Sequence, residues 1–139
     1  MQEDFEGAFL PNGWFTENED GGGQWSLESS IGGFGNSTQC ALFDNYGIDS
    51  QGSNDDLSFG LNTLNMSELN LSFDVAYAPW GGSYSDSLKV LISTDCGVSY
   101  NEVYFKGGTT LATAPAFTSM FVPASNEWRT ENINLNNFI

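Results

Sequence analysis

Histidine is absent from this chain, and only Lys89, Lys106 and Arg129 among its 139 residues are basic. Without an imidazole there is no Ser-His-Asp or Cys-His arrangement for nucleophilic catalysis, and no zinc site built on histidine. Lys106-Gly107-Gly108 runs in the wrong order for a phosphate-binding loop. Eighteen acids against three bases leave a formal charge of −15. Such a surface repels phosphate, so neither nucleic acid nor anionic lipid is an expected partner. No apolar run approaches the ~20 residues that would span a bilayer, so membrane insertion is not expected either. Met1 leads straight into Gln2-Glu3-Asp4, with no basic or apolar leader segment, and an export signal is expected to lie outside this stretch. The two cysteines, Cys40 and Cys96, allow one disulfide, provided their Cα atoms come within about 7 Å. Paired carboxylates can hydrolyse glycosides, but among eighteen acids any chosen pair is uninformative, and the chain reads as non-catalytic.

What the chain has in quantity is aromatic side chains, glycine and acids. Aromatics make up 14% of the residues, so the chain has the means to build a core despite its charge. Its length predicts one domain over residues 1–139. The acids favour divalent cations, neutral glycans or basic protein surfaces as partners.

The apolar pattern is that of strands. In 71–77, Leu71, Phe73, Val75 and Tyr77 share one face, and Ser72, Asp74 and Ala76 the other. A turn-rich stretch, Pro79-Trp80-Gly81-Gly82-Ser83, precedes a second strand over 87–93 with Leu88, Val90 and Ile92 inward. Asp95-Cys96-Gly97 breaks it, and a third strand covers 101–105. Shorter strands are expected around 120–122 and 131–135. Residues 11–60 are rich in Gly, Asn, Asp and Ser with isolated aromatics, and read as short strands joined by long structured loops. Nowhere do apolar residues recur at helical spacing, so the fold class is all-β, a sandwich or barrel of short antiparallel strands.

Several segments carry a resemblance. Asp4-Phe5-Glu6-Gly7, Leu10-Pro11-Asn12-Gly13-Trp14 and the acidic glycine loop Glu19-Asp20-Gly21-Gly22-Gly23 ahead of Trp25 look like the opening of cleaved-adhesin or choice-of-anchor J domains. Phe73-Asp74-Val75-Ala76-Tyr77-Ala78, Ser93-Thr94-Asp95-Cys96-Gly97, Tyr104-Phe105-Lys106-Gly107-Gly108 and Trp128-Arg129 resemble later motifs of that group, in the same order. Such domains are jelly-roll modules of secreted Bacteroidetes proteins, including the adhesin regions of gingipains. The resemblance implies a jelly-roll-type antiparallel β-sandwich, an adhesive role, structural calcium and export by the type IX secretion system to a secreted or cell-surface location. Family members usually continue into further strands beyond the Trp-Arg and Asn-Leu segments. Ile139 comes before them, so the sandwich is expected either to lack its last strands or to be completed by a strand-donating partner chain.

Calcium takes six to eight oxygen ligands, which suits the acidic loop around Glu17-Asn18-Glu19-Asp20-Gly21, although its spacing is not that of an EF-hand. By resemblance, Asp4 and Glu6 are the expected carboxylate ligands, with Asp20 and Asp44 contributing. Each is equally readable as a solvated surface acid, and Asn54-Asp55-Asp56 equally as a turn. Trp80, in a loop with Tyr84 nearby, is the candidate platform for a protein or glycan ligand, or else caps the sandwich. Trp14, Trp25 and Trp128 fall on motif positions and are expected in the core. Asp86-Ser87-Leu88 resembles a short O-glycosylation site, and the sequons at Asn36, Asn65 and Asn70 matter only in a eukaryotic secretory setting. Three functions follow as expectations. The first is a calcium-stabilised adhesin-like module attaching to proteins or surfaces. The second is a carbohydrate-binding module of a polysaccharide-degrading enzyme, and the third a structural spacer completed by a donated strand.

Overall fold

The computed structural model describes residues 1–48, 52, 54–81 and 84–139. Its regular structure is β-strand with three single-turn 3-10 segments, so the all-β expectation holds. The strands pair antiparallel in four two-stranded ladders among the described residues. The chain gathers into two compact units, Met1–Leu61 and Asn62–Ile139.

In the first unit, β1 (Trp14–Asn18) pairs with β4 (Asp55–Phe59), and β2 (Trp25–Glu28) with β3 (Cys40–Phe43). Alternation along β1 sends Trp14, Thr16 and Asn18 to the half-buried face and Phe15 and Glu17 to the exposed one. Directly opposite, Trp14 meets Phe59 and the two rings stack at 4.4 Å, while Phe5 packs edge-on against Trp14 at 5.7 Å. The Trp25 indole N–H donates to the Asp55 carbonyl at 3.0 Å, joining the β2–β3 ladder to β4. Trp25 also sets its ring edge-on to Phe43 at 5.7 Å. The loop before β3 is tight: a Cβ on Gly33 would lie 2.4 Å from the Gln39 carbonyl oxygen, so only glycine fits there.

In the second unit, β5 (Asn70–Val75) pairs with β8 (Arg129–Asn134), and β6 (Ser87–Ile92) with β7 (Asn101–Gly107). The expected inward residues face inward on both β5 and β6: Leu71, Phe73 and Val75, then Leu88, Val90 and Ile92. Opposite Val90 sits Tyr104, and opposite Leu91 sits Glu102, so Val103 is the extra residue of a β-bulge. Phe73 of β5 meets Tyr104 of β7 edge-on at 5.4 Å, which packs one ladder on the other. Leu69, Leu111 and Leu135 are the buried apolar residues of this unit. Beyond the ladder, Leu135 donates to the Leu69 carbonyl and the Asn136 side chain accepts from Leu69 N–H, which extends the β5–β8 pairing past both strand ends. Past Val75, Tyr77 exchanges hydrogen bonds with Thr113 rather than with a strand.

Met120–Val122 was expected as a strand and is irregular. Pro115 and Pro123 bracket the segment, and proline supplies no N–H to a ladder. Just before it, the backbone bonds in a loop contact instead, from Phe117 N–H to the Pro79 carbonyl.

Two charged features lock this unit. The side chain of Glu131, only 11% exposed, accepts from Lys106 Nζ at 2.6 and 2.8 Å and from Arg129 Nε at 2.7 Å. Burial pushes its carboxyl up, but the bonds from Lys106 and Arg129 outweigh that and hold it below the ordinary value. Arg129 also donates to the carbonyls of Ala112 and Leu111, both at 3.0 Å, closing the 3-10 turn Gly108–Thr110. At the β6–β7 turn, Asp95 accepts from the Ser99 hydroxyl, the Ser93 hydroxyl and the Ser99 N–H. There Cys96 and Gly97 adopt the left-handed conformation, φ 61° and 86°.

Replacing Glu131→Gln should lower stability by about 2 kcal/mol, because it leaves Lys106 and Arg129 without their partly buried counter-charge. A thermal melt would read this as a loss of several degrees, and an unchanged melt would make the triad dispensable. The serine bonds hold Asp95 at about 2, with the Ser99 hydroxyl the largest cause. What this depressed carboxyl adds to stability is therefore complete above the unfolded value of about 3.9 and is lost as the pH falls through the folded value. A carboxyl NMR titration should place its midpoint near 2, and Ser99→Ala should move it back toward the ordinary range.

Candidate binding site

Each of the four expected metal ligands accepts hydrogen bonds from the backbone. Asp4 accepts from Glu6 N–H at 3.1 Å, and Asp20 accepts from Gly22 N–H at 2.7 Å. Asp44 accepts from Tyr46 and Gly47 N–H, both at 3.0 Å, which forms a short Asx turn. Glu6 reaches furthest in sequence: its carboxylate receives the Thr38 hydroxyl at 2.6 Å, the Thr38 N–H and the Gln39 N–H at 3.1 Å. Those bonds, the Thr38 hydroxyl first, hold the Glu6 carboxyl below its usual value. Glu6 is thereby a clamp between the N-terminal segment and the loop before β3. Among the described residues, no three Asp, Glu, Cys or His side chains gather in an arrangement able to hold a metal.

Asp55, which the sequence presents as one acid of a turn, opens β4 instead. It stands opposite Asn18 on the same face as Trp14 and Leu57. Both of its carboxylate oxygens are shielded from solvent, each exposing less than 1 Å², and neither has a hydrogen-bond partner among the described residues. Burial, then the negative charges of Asp20 and Asp56, pushes its carboxyl up. The sequence signal that would have found it is an Asp in register with inward-facing residues, and that register becomes visible only once β4 is paired with β1.

The expected Cys40–Cys96 bridge is not made in this structure. Cys40 and Cys96 are both free thiols, and they belong to different compact units. Cys40 lies half-buried on β3 opposite Glu28, and burial followed by the Glu28 charge pushes its thiol up. Cys96 is exposed in the β6–β7 turn.

The Trp80–Tyr84 pair occupies a different kind of place. Trp80 is 43% exposed and Tyr84 66% exposed, which puts the rings at the surface rather than over a core. Gly81 and Tyr84 form an isolated antiparallel bridge, with Gly81 at φ 115°. Gly82 and Ser83 of the expected turn lie outside the described residues. Beside Tyr84 runs a shallow cleft of about 360 Å³, lined by Pro79, Gly81, Ser85, Gly108, Thr109 and Ala116. None of these is charged, and the polar groups on offer are hydroxyls and backbone. The walls are tied down: Phe117 N–H bonds to the Pro79 carbonyl at 2.9 Å and Gly108 N–H to the Asp86 carbonyl at 3.0 Å. Asp86 N–H in turn donates to the Tyr77 hydroxyl at 2.9 Å. Ala116 is shared with a second groove of about 470 Å³ lined by Phe117, Met120, Phe121 and Val122. Phe117 and Val122 are themselves 48% and 57% exposed, so apolar surface continues from one groove into the next.

Under non-reducing conditions, two thiols per chain should titrate with a disulfide reagent. Cys96 should react at least several-fold faster than Cys40, since the thiolate is the nucleophile and the Cys40 thiol is both shielded and harder to ionise. Absence of titratable thiol would restore the bridge.

A scan against protein-family models, a search of curated proteins and a search of solved structures each found no match to this chain.

Proposed function

We propose that this chain is a non-catalytic, adhesin-like attachment module of a secreted or cell-surface protein, stabilised by calcium. In this reading it engages its target through the aromatic surface around Trp80 and Tyr84. The observation that carries the reading is the placement of these two rings at the surface, with Tyr84 lining a cleft of uncharged walls. A large aromatic side chain in water gains by being covered, and exposed apolar area that runs on through a second groove is the usual mark of an interaction surface. The resemblance to cleaved-adhesin domains supports the same role. The target is expected to be neutral or basic, because a chain of net charge −15 repels anionic surfaces.

One observation favours a second reading, a carbohydrate-binding module. The cleft pairs an aromatic face with the hydroxyls of Ser85 and Thr109 and no charge. That combination suits a neutral sugar ring, whose C–H face stacks and whose hydroxyls hydrogen-bond.

Trp80→Ala and Tyr84→Ala test both readings in a glycan array run beside adhesion to immobilised extracellular protein. Loss of one well-buried aromatic contact costs about 2 kcal/mol, or roughly thirty-fold in affinity. The adhesin reading expects that loss on the protein surface, and the carbohydrate reading expects it on a glycan. Binding that survives both substitutions would remove this surface from the function.

A further inference from the structure

All three basic side chains of the chain are engaged: Lys106 and Arg129 on Glu131, and Lys89 over the Phe105 ring at 5.6 Å from its centre. Arg129 is tied further, to the carbonyls of Thr110, Leu111 and Ala112. That leaves no cation for Glu127, the single charged residue along the groove formed by Pro115, Phe117, Met120, Phe121 and Val122. Glu127 is held in place from both ends. Its N–H donates to the Ala124 carbonyl at 2.9 Å, and its Oε2 accepts from Ala124 N–H at 2.8 Å, across the 3-10 turn Ser125–Glu127. Among the described residues, its Oε1 accepts no hydrogen bond. A carboxylate fixed this way loses little freedom when a ligand binds it.

The rest of the groove is aromatic and aliphatic. Phe117 and Phe121 meet edge-on at 6.5 Å, and a ring face attracts a cation that comes within about 6 Å of its centre. The volume, about 470 Å³, lies within the range of roughly 300–1,000 Å³ usual for ligand clefts. Each class of occupant can be weighed against these walls. A sugar would find no hydroxyl or amide side chain here, unlike in the cleft beside Tyr84. A wholly apolar segment would cover Glu127 and leave a carboxylate oxygen desolvated and unpaired, which is costly. A second copy brings a further charge of −15 and bases that are already engaged. An apolar stem ending in a cation meets both demands. We propose that this groove docks a segment of a partner protein through a lysine or arginine side chain flanked by apolar residues. Glu127 Oε1 receives the cation, and Phe117, Phe121 and Val122 cover the stem and its flanks. The chain's net charge draws such a segment in.

The site adjoins the proposed attachment surface at Ala116 but stands on its own residues, so either can fail alone. The probes are capped tripeptides with leucine on either side of arginine, lysine or norleucine. They are titrated into the isotope-labelled chain in about 0.15 M salt, which screens diffuse attraction to the acidic surface. Amide NMR shifts over 116–127 read occupancy of the groove. The arginine and lysine peptides should bind at least about five-fold tighter than the norleucine peptide. Glu127→Gln keeps an acceptor for Ala124 N–H and should erase that preference, whereas Glu102→Gln, an equal change of charge on β7, should preserve it. Phe117→Ala should weaken all three peptides alike. Should Glu127→Gln disturb the turn, Val122→Lys sets a competing cation at a position 57% exposed and should erase the preference as well. Equal binding of the norleucine peptide, a preference that survives Glu127→Gln, or no saturable shift at millimolar peptide would overturn the proposal. Trp80→Ala and Tyr84→Ala should leave peptide binding unchanged. If they abolish it, the peptide sits on the attachment surface, and the groove proposal falls while the attachment reading stands.

Discussion

The shortage of positive charge shapes this molecule more than any other constraint. Eighteen carboxylates must be accommodated with three basic side chains, two of which converge on Glu131. The chain resolves most of the remainder with its own backbone. Asx turns at Asp4, Asp20 and Asp44, the serine cage of Asp95 and the Glu127 bond to Ala124 N–H all place N–H groups where cations would otherwise stand. These bonds need no desolvated counter-ion and fix loop geometry as they form. The many long connections of the chain are therefore structured, not slack, and they are where the rings of the candidate surface are mounted.

Strand positions were legible where alternation was strong. Leu71 to Val75 and Leu88 to Ile92 face as the period of two requires, because a side chain's face depends on its own strand alone. Partners were not legible, since alternation says nothing of which strand lies alongside. That gap hid where two acids would sit. Asp55 could be recognised as inward-facing only after β4 was seen against β1, and Glu6 as a clamp only after Thr38 was seen beside it. The short apolar run at Met120–Val122 has strand-like composition but lacks a neighbour to bond, flanked as it is by prolines. The exposure of Trp80 and Tyr84 follows from their place in a glycine-rich stretch between strands.

The two units divide the physical roles. The second carries the cations, the buried leucines and the aromatic surface proposed for attachment. The first carries most of the negative charge.

The β5–β8 ladder has a temporal consequence. Leu69 and Asn136, which fasten its end, lie 67 residues apart in the chain. During synthesis, β5 must therefore wait for nearly the whole second unit to emerge before its partner exists, whereas β6 and β7 meet across a short turn. Pairing over such a separation closes a long loop before any contact offsets its entropy, and it slows the search. The hairpin of β6 and β7 is then the natural template, and β8 docks last, guided to it by Glu131 reaching Lys106. Until that moment β5 presents an unpaired strand edge, the interval in which a nascent chain most needs a chaperone.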